Sequence, residues 1–194
     1  MTKSISKFLF ALAALLFPFT AKVFAIYPPY QNNFLPIYQH SLYSTQTDGQ
    51  MIEIDDGSIW KINYYHRNTV RHWRSGDILE ISQTYNTRGE RFWITNKTLG
   101  SYVPAELSLS PIVDHPCAHQ LSYVDRGVVS IMSASGLESR YVIDSRDVHL
   151  IANWQLNQLV IVGVNNISWF GFFEKSDVIL INVDQNNYVR ATLL

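Results

Sequence analysis

The feature that most constrains this chain is a similarity between its two halves. When the sequence is shifted by 81 residues, residues 58–82 align with residues 139–163 without a gap, and Trp73 falls on Trp154. Both segments carry apolar residues at matching positions. A period of more than 80 residues predicts a duplicated domain, because solenoid repeats are only about 20–50 residues long.

A second shift, of 86 residues, extends the similarity to the end of each half. Residues 102–107 then fall on residues 188–193, and Tyr, Val, Ala and Leu are shared. The five-residue difference is explained if residues 165–171 give the second copy a longer hairpin loop, since insertions belong in loops. The alternative is that two unrelated β-rich stretches share their apolar spacing by chance.

Both halves are patterned as short β-strands joined by turns. Residues 51–55 alternate apolar and polar side chains, and Asp56-Gly57 favours a tight turn into the next strand. Short strands at this spacing predict an all-β fold with two small five-stranded β-barrel or sandwich-like modules in tandem, each with a short helical turn. The predicted segments are a signal peptide (1–25), a Pro/Tyr/Asn/Gln-rich tail (26–50), module copy 1 (51–107), a linker (108–127) and module copy 2 (128–194).

The N-terminus is typical of a cleavable export signal. Lys3 and Lys7 precede an apolar run over residues 8–19, and Val23-Phe24-Ala25 fits a cleavage site before Ile26. The alternative is an uncleaved membrane anchor, but a spanning helix needs about 20 apolar residues and this run is shorter. We therefore predict an exported protein, periplasmic, cell-surface or secreted, with no transmembrane span in the mature chain.

Charge and cysteine content limit the partners. Removing residues 1–25 takes away three lysines and no acid, so the 15 basic and 16 acidic residues of the full chain become a mature net charge of about −4. This balance does not indicate a nucleic-acid partner. The single cysteine, Cys117, excludes an internal disulfide, so stability must come from the core.

Turn and core residues of the first half form a distinctive string: Asp56-Gly57-Ser58-x-Trp60, Trp73-x-x-Gly76-Asp77, then Asn96 and Val103-x-Ala105. The string resembles small exported bacterial proteins of unassigned function that carry the pattern D-G-S-x-W…W-x-x-G-D…N-x-x-x-G…V-x-A. The resemblance covers residues 51–107 and implies a small β-barrel without established chemistry. The second half departs from the pattern at residues 137–138 and 157–158.

The densest basic group lies in the predicted helical turn of copy 1. Arg67, Arg71 and Arg74 surround Trp73, and Arg67 and Arg71 share a helix face because they are four residues apart. Two interpretations are open for the arginines, a site for an anionic ligand such as a phosphate or an acidic envelope polymer, or a solvated face. Copy 2 has Val148, Ala152 and Gln155 instead, so the fold does not require these charges. Trp73 is either a core anchor or a stacking platform for a ring or sugar.

Metal and catalytic signals are weak. His115, Cys117 and His119 alternate and could act as metal ligands, but zinc sites usually need four ligands, and Pro116 is typical of a plain linker. No nucleophile, phosphate-loop or dinucleotide motif is present, so no cofactor is predicted.

The sequence therefore favours an exported, non-catalytic binding or interaction protein whose partner is another envelope or surface molecule, protein or polymer. One alternative is a structural protein that self-associates through exposed strand edges. A second alternative is a hydrolase without a recognisable motif.

Overall fold

Alternating burial along short strands generates the fold. The computed structural model of the protein describes residues 35–84, 91–166 and 176–194. In β2, Ile52 and Ile54 are buried while Met51 and Glu53 are partly exposed, as expected for a strand with one face on a core. The all-β prediction is confirmed. The predicted signal peptide, residues 26–34 of the tail and most of the 165–171 loop lie outside the described residues.

Twelve strands and three short helical segments are described. The strands are β1 (Gln39–Thr45), β2 (Met51–Ile54), β3 (Ile59–Ile62), β4 (Ile78–Gln83), β5 (Phe92–Asn96), β6 (Ser101–Leu109), β7 (His119–Asp125), β8 (Val128–Ser133), β9 (Glu138–Ile143), β10 (Leu159–Val164), β11 (Val178–Asn182) and β12 (Asn187–Leu193). The helical segments are a 3-10 turn (Tyr64–His66), one α-helical turn (Arg67–Val70) and a second 3-10 turn (Val148–Ile151).

The first six strands close into a barrel. Their hydrogen-bonded order is β1-β2-β3-β6-β5-β4, and β1 pairs back onto β4 through Gln39↔Glu80 and two further pairs. We call this the N-terminal barrel. The last six strands, the C-terminal set, have the corresponding order β7-β8-β9-β12-β11-β10, and β7 pairs with β10. A parallel contact between Ser82 of β4 and Val164 of β10 joins the two.

The prediction of five strands per module missed β1, inside the predicted tail, and β7, inside the predicted linker. In β1 the inward positions are His40 and Leu42, so the strand lacks a clear apolar period. In β7 only Leu121 is fully buried. A register irregularity follows Leu42 in β1 and Leu121 in β7, which further breaks the alternation.

Strands β10 and β11 are buried on both faces. Ile161, Ile179 and Ile181 pack into the core of the N-terminal barrel, whereas Val160 and Leu180 pack into the core of the C-terminal set. Two-sided burial explains why these strands are continuous apolar runs rather than alternating ones. In the ranges that the structure covers, no helix combines the length and the apolar character needed to cross a membrane.

Candidate functional site

The predicted basic group lies on a turn that two buried side chains anchor in the core of the N-terminal barrel. We call residues 64–74, which follow β3, the arginine turn. Val70 and Trp73 are its buried members, and the Trp73 indole N–H donates to Ser101 Oγ at 2.9 Å. Because only 4% of Trp73 is exposed, neither ring face is open for stacking, and we assign this residue to the core.

A buried polar clasp fixes the end of the arginine turn. Asp77 Oδ2 accepts hydrogen bonds from the backbone N–H of Arg74 at 2.9 Å and from Asn96 Nδ2 at 2.7 Å. Asn96 Oδ1 in turn accepts from the backbone N–H of Leu99 at 2.9 Å. Buried polar groups that are fully paired favour a single backbone arrangement. The position of Arg74 is therefore set by the fold.

The C-terminal set contains the same clasp with one substitution. Gln158 Oε1 accepts from the backbone N–H of Gln155 at 2.9 Å and from Asn182 Nδ2 at 2.7 Å. Asn182 Oδ1 accepts from the backbone N–H of Gln185 at 2.9 Å. Trp154 also repeats the role of Trp73, since its indole N–H donates to Asn187 at 2.9 Å.

Two tyrosines that the sequence analysis did not select dominate the outer surface of the arginine turn. Tyr64 and Tyr65 are 73% and 87% exposed, and their rings meet edge to face at 5.8 Å. Asn63 caps the turn by accepting from the backbone N–H of Tyr65 at 3.0 Å. The Arg67 guanidinium carbon lies 5.3 Å from the centroid of the Tyr64 ring, a cation–π geometry.

The three guanidinium groups have no acidic partner among the residues that the structure describes. Arg71 Nη1 donates to the amide oxygen of Asn68 at 3.1 Å, and Arg74 is exposed beyond the helical turn. Among the described residues, none of Arg67, Arg71 and Arg74 lies within 4.0 Å of a carboxylate. The turn therefore presents positive charge that the described part of the protein leaves uncompensated.

The equivalent turn of the C-terminal set is electrostatically different. Arg146 pairs with Asp144 at 2.8 Å, and Arg190 pairs with Asp147 at 2.6 Å. The Arg146 hydrogen bond lowers the pKa of Asp144 well below its usual range. Burial favours the neutral form of Asp147, but hydrogen bonds from Arg190 outweigh it and lower the pKa. Arg146 of this turn and Arg190 of strand β12 are thus held in internal pairs.

His115, Cys117 and His119 do not gather into a metal site. His115 is buried, and its Nδ1 accepts the backbone N–H of Cys117 at 3.3 Å, while His119 lies on β7. Burial, with a smaller effect from the nearby charge of His40, lowers the pKa of His119 to about 4. Across the described segments, no three His, Cys, Asp or Glu side chains are arranged to hold a metal ion.

A buried histidine that sequence reasoning missed connects the N-terminal barrel to the C-terminal set. His40 Nε2 donates to the carbonyl oxygen of Val162 at 2.8 Å, and His40 Nδ1 lies 3.4 Å from Asp55 Oδ1. Two cavities, of about 460 and 360 Å³, are lined by other residues. We therefore assign His40 to the contact between strands β1 and β10 rather than to a ligand site.

Comparison with protein-family models, curated proteins and solved structures finds no match to this chain. The geometry of the molecule itself therefore has to carry the functional assignment.

Proposed function

We propose that this protein is an exported, non-catalytic binding protein that holds an acidic polymer of the cell envelope or surface on its arginine turn. The observation that carries the proposal is the combination of two exposed tyrosines with three arginines that have no described carboxylate partner. The export signal rests on residues 1–25 alone.

The chemistry of the arginine turn fits an anionic ligand. Guanidinium groups bind phosphate and carboxylate through paired N–H donors, and tyrosine rings supply rigid contact area at a low cost in side-chain entropy. Tyrosine and arginine are also the residue types that contribute most to binding energy at interfaces. Since the three arginines are spread along the turn and line neither described cavity, an extended polymer suits them better than a small anion.

The net charge of the protein makes this surface specific. A mature chain with a charge of about −4 repels polyanions overall, so attraction depends on a local basic surface. The equivalent turn lacks that free charge, because its one arginine, Arg146, is paired to Asp144.

We further infer that the two halves are diverged copies of one six-stranded module. The corresponding strand orders and the repeated clasp, with Asp77 replaced by Gln158, support this inference. Under duplication, the arginines and tyrosines of residues 64–74 are a specialisation of one copy, because the other copy folds without them.

Self-association through strand edges has less support. Each of the twelve described strands has hydrogen-bonded neighbours on both sides over at least part of its length, so the described sheet offers only short stretches of free edge to this alternative.

Charge removal at the turn tests the proposal. We expect R67A/R71A/R74A to weaken binding of the purified protein to immobilised polyphosphate or poly-L-glutamate roughly tenfold or more, because each exposed ion pair contributes about 0.5–1 kcal/mol. The two polymers distinguish phosphate from carboxylate recognition. Biolayer interferometry at about 0.1 M salt, where the Debye length is about 10 Å, measures the affinity.

The matched control is K97A/R126A/R140A, which removes the same charge from exposed positions elsewhere. This variant should bind within about twofold of the wild type, since long-range effects of exposed charges are screened. Equal losses in both triple variants, or no binding of the wild type to either polymer, would contradict the proposal.

A further inference from the structure

A second candidate site lies where the N-terminal barrel meets the C-terminal set. A cavity of about 460 Å³ opens between β5, β6 and the turn that joins β11 to β12. Its volume is within the range of about 300–1,000 Å³ typical of small-molecule sites, which often lie at such junctions. The lining residues that matter here are Arg91, Phe92, Glu106, Leu107, Val183 and Asn186.

The Arg91 guanidinium is held in place at one edge of this cavity. Its Nη1 donates to the backbone carbonyl oxygen of Asn186 at 2.7 Å and to Asn186 Oδ1 at 3.0 Å. Both of these bonds use Nη1, and within the described residues the guanidinium makes no other hydrogen bond. A guanidinium fixed in this way loses little entropy when it binds a carboxylate.

Asn186 has a backbone conformation that usually favours glycine. It has a φ of +50° in the β11–β12 turn, where the equivalent residue of the N-terminal barrel is Gly100 with a φ of +66°. Glycine adopts this conformation without strain, whereas asparagine tolerates it. The asparagine side chain supplies the contact to Arg91 that a glycine lacks.

Glu106 lines the same cavity with the opposite charge. Phe92 pairs with Ala105 between the antiparallel strands β5 and β6. Arg91 precedes Phe92 and Glu106 follows Ala105, so the two charged residues lie next to the same cross-strand pair. In the part of the chain that the structure covers, no ion pair within 4.0 Å joins them, and Glu106 accepts no hydrogen bond. Lys61, opposite Glu106 on β3, is not part of the lining. Two opposite charges therefore face one cavity without neutralising each other.

Apolar side chains and two serines, Ser108 and Ser110, form the rest of the wall. The Phe92 ring packs edge to face against Trp60 at 5.6 Å and against Tyr188 at 5.9 Å, which fixes its position. Leu107 and Val183 extend the apolar surface. A complementary ligand has a carboxylate, an ammonium group and an apolar body.

We propose that this cavity binds a zwitterionic amino acid or dipeptide with apolar side chains. Arg91 binds the carboxylate, Glu106 binds the ammonium group, and Leu107 with Val183 contacts the apolar part. The site is separate from the arginine turn and does not depend on the function proposed for it.

Calorimetry with three related probes tests the assignment. We expect L-leucyl-L-leucine to bind the purified protein, and both N-acetyl-L-leucyl-L-leucine and L-leucyl-L-leucinamide to bind at least tenfold more weakly, since each lacks one charge. Arg91→Gln should weaken binding of the dipeptide but not of the amide. Glu106→Gln should weaken binding of the dipeptide but not of the N-acetyl compound.

The control Arg126→Gln, at an exposed side chain of the β7–β8 turn, should leave the affinity unchanged, as should R67A/R71A/R74A. A protein that binds none of the three probes at 10 mM, or binds all three equally, overturns the proposal. The same holds if the arginine-turn variant loses dipeptide binding. Arg91→Gln also removes a contact to Asn186 and could therefore unfold the protein. In that case the result for Glu106→Gln alone tests the proposal.

Discussion

Replacing Gly163 with alanine is expected to destabilise the protein by about 3 kcal/mol, the upper end of the usual cost of overpacking. Gly163 lies on β10, and a Cβ there would overlap the carbonyl oxygen of Ile81 on β4. It would also lie 3.0 Å from Ile179 Cγ1. Because the Ile81 oxygen belongs to a strand backbone in the N-terminal barrel, it cannot move aside as a side chain could.

Gly163 differs from the other glycines in the described segments, all six of which have a positive φ. A glycine is therefore required at position 163 because a Cβ does not fit there, and not because of its backbone conformation. Gly136→Ala is the matched control, since Gly136 has a φ of +83° and open space around the position of a Cβ. We expect that control to cost about 1 kcal/mol from backbone strain alone. Urea denaturation measures both values, and a Gly163→Ala protein as stable as the control would contradict the close approach of β4 and β10.

A second large effect is expected from the titration of His40. Burial favours the neutral imidazole, but the Asp55 carboxylate, with smaller contributions from Asp56 and the Val162 carbonyl, outweighs it and raises the pKa to about 9. Both ring nitrogens face groups that can only accept a hydrogen bond, which requires the doubly protonated ring.

The direction of the pH dependence follows from this raised pKa. An unfolded histidine has a pKa of about 6.5, so the stabilisation from His40 is fully present below pH 6.5 and is lost as the pH rises through about 9. The shift corresponds to about 3 kcal/mol of unfolding free energy. His119, whose pKa is lowered to about 4, is neutral in the folded protein across this window. Because its unfolded ring is still partly protonated near pH 6.5, it adds a small opposing slope that ends at about pH 7.5.

Urea denaturation between pH 6 and pH 10 measures this loss. His40→Gln should be less stable than the wild type at pH 6 and should show little change up to pH 9. His72→Gln, at an exposed position of the arginine turn, should follow the wild-type curve. A wild-type stability that stays constant through pH 9, or a His40→Gln protein that declines in parallel with it, would contradict the role of His40.

The strands with a clear apolar period were predictable from the sequence, and those with polar inward positions were not. Residues 51–55 and 91–95 alternate and match β2 and β5 closely. In contrast, β1 directs His40 inward, toward Asp55 just after β2 and Val162 on β10, which local patterning does not indicate. The sequence places a histidine among polar residues, and only the tertiary structure shows why it is buried.

The two clasps have a common geometry that their sequences do not reveal. The sequence analysis treated residues 157–158 as a departure from the Gly76-Asp77 pattern. In the structure, the Gln158 amide oxygen accepts the same two hydrogen bonds as the Asp77 carboxylate. Asn157 has a φ of +68° where Gly76 has +90°. Asparagine and glutamine thus fulfil the requirements of the turn with different residue types.

The candidate site was predictable only in part. The spacing of Arg67 and Arg71 indicated a shared face, and the comparison between halves showed that the fold does not need the arginines. Exposure of Tyr64 and Tyr65 was not predictable, because two tyrosines after a strand fit a buried strand end equally well. Burial of Trp73 follows from its hydrogen bond to Ser101, 28 residues away in sequence.

Hydrogen–deuterium exchange of the purified protein, with and without polyphosphate, is the most direct measurement of where the ligand binds. Binding at the arginine turn predicts slower exchange in peptides that cover residues 61–74 and unchanged exchange in peptides that cover residues 145–155. Protection of residues 145–155 instead, or protection that avoids residues 61–74, would show that the exposed tyrosines and the arginines of this turn are not the binding surface.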